Sequence, residues 1–132
     1  MGANRNPIYA GAIKGWQGQV STANTALDGT GTLVDIVVAD ATNGSRVDLI
    51  HIKATVTTSA GMIRLFLYDG TNNRLWHEVV VSVVVPSGTV ASFSAEVIPT
   101  APFLLLPAGW KLKASTHNAE TFNVSAFGGD FS

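Results

Sequence analysis

The stretch SAGMIRLFLYDGTNNRLWHEVVVSVVVPSG, residues 59–88, decides the fold class. In its first half Ile63, Leu65 and Leu67 alternate with Arg64, Phe66 and Tyr68, the period of two that belongs to a strand with one face turned inward. Asp69 and Gly70 carry turn chemistry, and RLWHEVVVSVVV then returns as a second strand, so the stretch predicts an antiparallel hairpin. Arg74, Trp76 and Glu78 share one face of that second strand, where they can pair with charges on a neighbour. From Val79 to Val85 the run holds six valines and one serine, so both faces are apolar where a half-wet strand would alternate. Something must cover the second face, either another part of the chain or another molecule.

Working outward, TLVDIVVA (32–39) places Val34, Ile36 and Val38 on one side and Asp35 on the other. RVDLIHIKATVT (46–57) places Ile50, Ile52, Ala54 and Val56 opposite Leu49, His51, Lys53 and Thr55, and the turn NGS (43–45) separates the two strands. Shorter pieces follow Pro86: SFSAEVI, FLLL, WKLKAST and TFNVSAF, with PAGW (107–110) as a tight turn between two of them. In the last two, Trp110, Leu112 and Ala114, then Phe122, Val124 and Ala126, form the inward sets. Gly, Pro and β-branched residues interrupt every window long enough for three helical turns. Eight or nine strands at this spacing predict an all-β antiparallel jelly-roll sandwich; the Cys, Trp, Cys spacing of antibody domains is absent. Residues 1–31 hold six of the 13 glycines and only three charges, and read as an extended N-terminal arm, with a possible strand at Ile8 to Ile13, leading into a domain over 32–132.

With 132 residues the chain is long enough for one domain with a core of its own. Charged residues make up 13%, about half the roughly 25% of soluble proteins, and the net charge is −1. That balance lacks a basic footprint for nucleic acid. Sparse charge beside 46% hydrophobic residues has two readings: a surface of Thr, Ser, Asn and Gly, or a surface partly covered by other subunits. The chain contains no cysteine, which removes disulfides and thiolate metal sites. Its beginning has no long apolar core of a signal peptide, and no apolar run approaches the roughly 18 residues of a membrane span, so a soluble protein made in the cytoplasm is expected.

Catalytic signals are weak throughout. His51, His77 and His117 are far apart, and the position two after His51 is Lys53, where a cupin-type metal site needs a second histidine. No Gly-x-Ser-x-Gly elbow is present, Asp28 and Asp69 each precede a glycine as turn formers do, and GTGT (29–32) lacks the lysine and helix of a phosphate loop. The chain therefore reads as no enzyme, without cofactor or metal. Aromatic residues offer contact surfaces instead: Tyr9 and Trp16 in the arm, and Trp76, Tyr68 and Arg74 as candidate contacts for a glycan.

The succession NTALDGTGTLVDI, NGSRVDLIHIKAT, SAGMIRLFLYDGTNNRLWHEV and LLLPAGWKLKAS resembles small virion proteins of tailed bacteriophages, in particular jelly-roll decoration, or cement, proteins of phage heads. That resemblance implies a homotrimer on the outer surface of the capsid that binds the major capsid protein and locks capsid subunits together. The alternative it leaves is a tail or baseplate module that binds a host-surface glycan. Tyr9, Trp16, Trp76, Val81 and Val83 are the candidate interface residues under this reading.

Overall fold

A computed structural model describes residues 12–99 and 103–131. Among them are nine strands and no helix: β1 (Ala12–Val20), β2 (Val34–Val38), β3 (Ser45–Ala54), β4 (Gly61–Tyr68), β5 (Asn73–Val81), β6 (Ser94–Val97), β7 (Leu104–Leu106), β8 (Lys111–Thr116) and β9 (Phe122–Asp130). They form two antiparallel sheets packed as a sandwich. One has the order β1-β9-β3-β6, with β7 pairing the other end of β3; the second has the order β2-β8-β4-β5.

The pairs nest around the β4–β5 turn. β4 pairs β5, β3 pairs β6, β8 pairs β2, and β9 pairs β1, so the outermost partners in sequence are neighbours in space. The core lies between the layers and is built from the predicted inward sets: Ile50, Ile52 and Ala54 on β3, Ile63 and Leu65 on β4, Leu112 and Ala114 on β8, and Phe122, Val124 and Ala126 on β9. Val56, expected to continue the β3 set, lies beyond the strand end and is exposed.

Several features depart from simple alternation. In β2 a register shift between Asp35 and Val37 buries Ile36 and Val37 together and leaves Val38, expected on the side of Val34 and Ile36, 52% exposed. β1 occupies residues 12–20 of the segment read as an arm: it is an edge strand paired with β9 along its length, with Trp16 packed on the core and Val20 buried in it. Residues 1–11, with Tyr9 and most of the possible strand at Ile8 to Ile13, lie outside the described residues. In β5, His77 pairs Leu65 and Leu75 pairs Phe66, which leaves Trp76 as the extra residue of a β-bulge. The bulge breaks the shared face expected for Arg74, Trp76 and Glu78: Trp76 packs against the core while the other two are exposed.

Candidate assembly surfaces

Between β1 and β2 the chain crosses the outer face of the four-stranded sheet. Ala23 forms a parallel bridge with Thr116, and the Asn24 N–H donates to the Thr116 carbonyl at 2.8 Å. Asn24 is buried and holds this crossing segment together. Its Nδ2 donates to the carbonyls of Thr30 and Thr32, both at 2.9 Å, and its Oδ1 accepts the Ala26 N–H at 3.0 Å. Farther along, Asn73 Nδ2 donates to the Gly29 carbonyl at 3.5 Å. Gly29 has φ +88°, and a Cβ there would collide with the Asn73 carbonyl oxygen, so only glycine brings the strap this close to β5.

Beneath the strap lie the residues of β4 that alternation turns away from the core. Phe66 is 0% exposed yet does not belong to the core cluster. Arg64 is buried beside it in the sheet. Its Nε donates to Glu78 Oε2 at 3.1 Å, and one terminal nitrogen reaches the Asn24 carbonyl at 3.4 Å and His117 Nδ1 at 3.2 Å. A guanidinium can only donate, so Nδ1 is the acceptor in this contact. These bonds satisfy a charge that would otherwise be costly to bury.

The valine run, in contrast, stays open. Val79 and Val84 pack against the core and Val81 is buried in it, but Val80, Val83 and Val85 are 69%, 67% and 64% exposed. The strand ends at Val81. A bridge between Thr58 and Val84 and a bond from Thr58 Oγ1 to the Ser82 carbonyl hold the rest of the run along the sandwich edge. Beside Val80 is a hollow of about 410 Å³ lined by Ala60, Gly61, Met62, Arg64, Val81 and His117. No described part of the chain covers the valine edge. β5 is also an outermost strand of its sheet, and among the described residues no strand pairs with it on that side.

A second open surface is the outer face of the five-stranded sheet. Register places Ile13 beside Gly129, and Gly15 beside Phe127, which in turn neighbours Leu49; Leu105 pairs Arg46 in the Gly129 row. Ile13 is 96% exposed and Phe127 49%, with Leu105 exposed as well. Two ion pairs flank this patch, Lys14 with Asp130 at 3.4 Å and Arg46 with Asp48 at 2.7 Å. The other half of the same face is polar: Gln17, Ser125, His51 and Glu96 form one row, and Gln19, Asn123, Lys53 and Ser94 the next.

Of the residues singled out in the sequence, Val83 is exposed at the valine edge, Val81 belongs to the chain's own core, and Trp16 and Trp76 are half-buried against that core. Tyr9 lies outside the described residues. The proposed glycan contacts are not an open platform: Trp76 packs inward, and Tyr68 lies under the Lys113 ammonium, 4.1 Å from its ring centre. The three histidines are on different elements. His51 faces Glu96 at 3.6 Å, His117 meets Arg64, and His77 packs its ring 5.6 Å from Trp76. Among the described residues no group of three His, Cys, Asp or Glu side chains could hold a metal ion. Sequence reading missed Val80, Ile13 and Phe127. The available signal was an apolar residue at the wrong parity, as with Phe127 directly after inward Ala126. Comparison with protein-family models and with curated proteins gives no match to the chain.

Proposed function

We propose that this chain is a structural virion protein of a tailed bacteriophage, a head decoration protein with a jelly-roll fold that acts by self-association and by binding the capsid, not by catalysis. Support for the jelly-roll assignment comes from the nested pairing of β4 with β5, β3 with β6, β2 with β8 and β1 with β9. The observation that carries the functional reading is the valine edge. A chain with 13% charged residues leaves Val80, Val83 and Val85 about two-thirds exposed on an unpaired edge strand. Left bare, such an edge is an aggregation hazard, and covering it with another protein removes the hazard. A cement protein of this kind works through buried area and shape, which suits a surface with apolar patches. The homotrimer, the major capsid protein as partner and the outer capsid surface as location are parts of this reading.

Two measurements test it. Light scattering on the full chain should give a mass above the monomer's 13.8 kDa at micromolar concentration. An antibody raised against the chain should label the heads of phage particles purified from cells that encode it. Label on tails would replace the head reading with the tail or baseplate reading, and unlabelled particles would remove the virion reading.

A further inference from the structure

The geometry points to an acid-sensitive latch on the strap: protonation of His117 draws Arg64 off the Asn24 carbonyl and loosens the segment between β1 and β2. The inference stands apart from the assembly reading above, because every residue in it belongs to one chain. Its centre is a single guanidinium nitrogen. Arg64 Nη1 lies 3.4 Å from the Asn24 carbonyl and 3.2 Å from His117 Nδ1, so strap and imidazole share one donor group. The Arg64 side chain is 8% exposed, and its Nε is committed to Glu78 Oε2 at 3.1 Å. A guanidinium does not lose its charge in proteins, whereas imidazole changes charge between about pH 5 and 8.

A neutral ring offers Arg64 an acceptor. A protonated ring has none, since both its nitrogens donate, and it sets a second positive charge against a buried first one. Backbone bonds fix where the conflict arises. The His117 N–H donates to the Met62 carbonyl at 2.9 Å, and Asn118 Nδ2 donates to the Ala60 carbonyl at 3.1 Å. The loop that carries His117 is therefore held to the start of β4, and the Arg64 side chain is the part that gives way. Register sets its direction. Arg64 stands between Glu78 on β5 and Ser115 on β8, and the strap is bridged to Thr116 at the end of β8, so a guanidinium drawn toward Glu78 leaves Asn24.

The charged groups on the elements around the ring are Arg64 on β4, Glu78 on β5 and Glu120 in the ring's own loop. Both carboxylates are engaged elsewhere, Glu78 by Arg64 and Glu120 by the Ser59 N–H at 2.8 Å. Neither makes a hydrogen bond or ion pair with the imidazole among the described residues. The other fastenings of the strap do not change charge between pH 5 and 8. They are the Asn24 N–H to the Thr116 carbonyl, Asn73 Nδ2 to the Gly29 carbonyl, and Asp28, which the Thr30 hydroxyl holds below the usual 3.8. Acid thus loosens the strap at Asn24 and leaves its far end tied.

Hydrogen exchange of the full chain at about pH 8 and about pH 5 tests the latch, with rates converted to protection factors so that the pH dependence of exchange itself cancels. The Asn24 and Ala26 amides are both bonded at the strap and report on it. In the wild type their protection should fall about tenfold or more in acid, while amides of β9 and β3 keep theirs. His117→Gln, which retains an acceptor and cannot take up the proton, should hold strap protection level across the two conditions. His51→Gln and His77→Gln should keep the wild-type response. If His117→Gln folds poorly, nitrogen NMR of the wild-type imidazoles decides instead: strap protection should fall over the pH interval in which His117 takes up its proton. A protonated His117 with unchanged strap protection overturns the latch. So does an acid response that survives in His117→Gln, or one shared equally with β9 and β3.

Discussion

Each sheet of this sandwich turns one phenylalanine outward, and the two meet different fates. Phe66, on the four-stranded sheet, is 0% exposed on the face that the strap between β1 and β2 crosses, tied to the sheet by the bonds of Asn24 to Thr116 and Arg64 and of Gly29 to Asn73. Phe127, on the five-stranded sheet, is 49% exposed, with Gly15 beside it and no described segment above it. Both positions violate the half-wet pattern in the same way, yet only one has a cover made by the chain. An outward apolar residue thus says that a cover is needed, and the hydrogen bonds around it say whether the chain supplies that cover. By this criterion the strap face is finished internally, whereas the Phe127 face and the valine edge remain available to a partner.

The comparison breaks most readily at the phenylalanines themselves. Phe66→Ala should destabilise the chain by about 3–5 kcal/mol, the cost of emptying a fully buried aromatic site. Phe127→Ala should change the stability of the dilute monomer by no more than about 0.5 kcal/mol, as surface substitutions do. Urea unfolding at low protein concentration measures both. Equal losses would mean that Phe127 is covered in solution and that the distinction between the two faces is false.

A smaller effect is expected at the strap's own fastening. Asn24→Ala removes two donated bonds and one accepted bond within a buried turn, at about 1 kcal/mol each, so a loss of about 2–3 kcal/mol is expected. Hydrogen exchange sharpens the result. Protection should fall at the amides of Asn24 and Ala26 and remain in β9 and β3 on the opposite sheet. Uniform loss of protection would mean that the strap does not open separately from the sandwich.

Most of the sandwich was legible in local alternation, because strands with one buried face announce that face every second residue. Ile50, Ile52 and Ala54, or Phe122, Val124 and Ala126, needed no tertiary information. What failed was information that local pattern does not carry. β1 contains Gly15 and Gly18 and few β-branched residues, so its composition resembles an arm although its pairing with β9 makes it a strand. The Trp76 bulge inserts one residue and shifts the parity of everything before it, so the shared face assigned to Arg74, Trp76 and Glu78 could not survive. The strap on the face bearing Phe66 comes from a segment more than thirty positions earlier, linked to that sheet only in space. The valine run raised the right question about its second face. The expected cover, another copy or the N-terminal arm, is not seen among the described residues: the strap crosses the face bearing Phe66, and Val80, Val83 and Val85 stay exposed.

The smallest effect lies in two exposed carboxylates, one in each kind of turn. Asp28, in the strap, is held below the usual 3.8 chiefly by the Thr30 hydroxyl at 2.6 Å and then by the Thr30 N–H. Asp69, in the β4–β5 turn, is lowered by the backbone N–H groups of Asn72 and Thr71 at 2.8 and 2.9 Å. Both folded values lie below the unfolded value, so each ionised group stabilises the fold above pH 3.8, and that contribution disappears as pH falls through the lowered value. Asp28→Asn and Asp69→Asn should therefore each lower the urea midpoint slightly near pH 6, and the deficit should shrink as pH falls through the lowered values and the wild-type carboxyls take up protons too. A deficit that persists at low pH would trace to lost packing instead of charge. Because Asp28 fastens the strap and Asp69 the hairpin, only Asp28→Asn should accelerate exchange at the Ala26 amide. Equal acceleration by both would mean that strap and hairpin open as one unit, and that the cover over Phe66 is part of the sandwich instead of a lid laid on it.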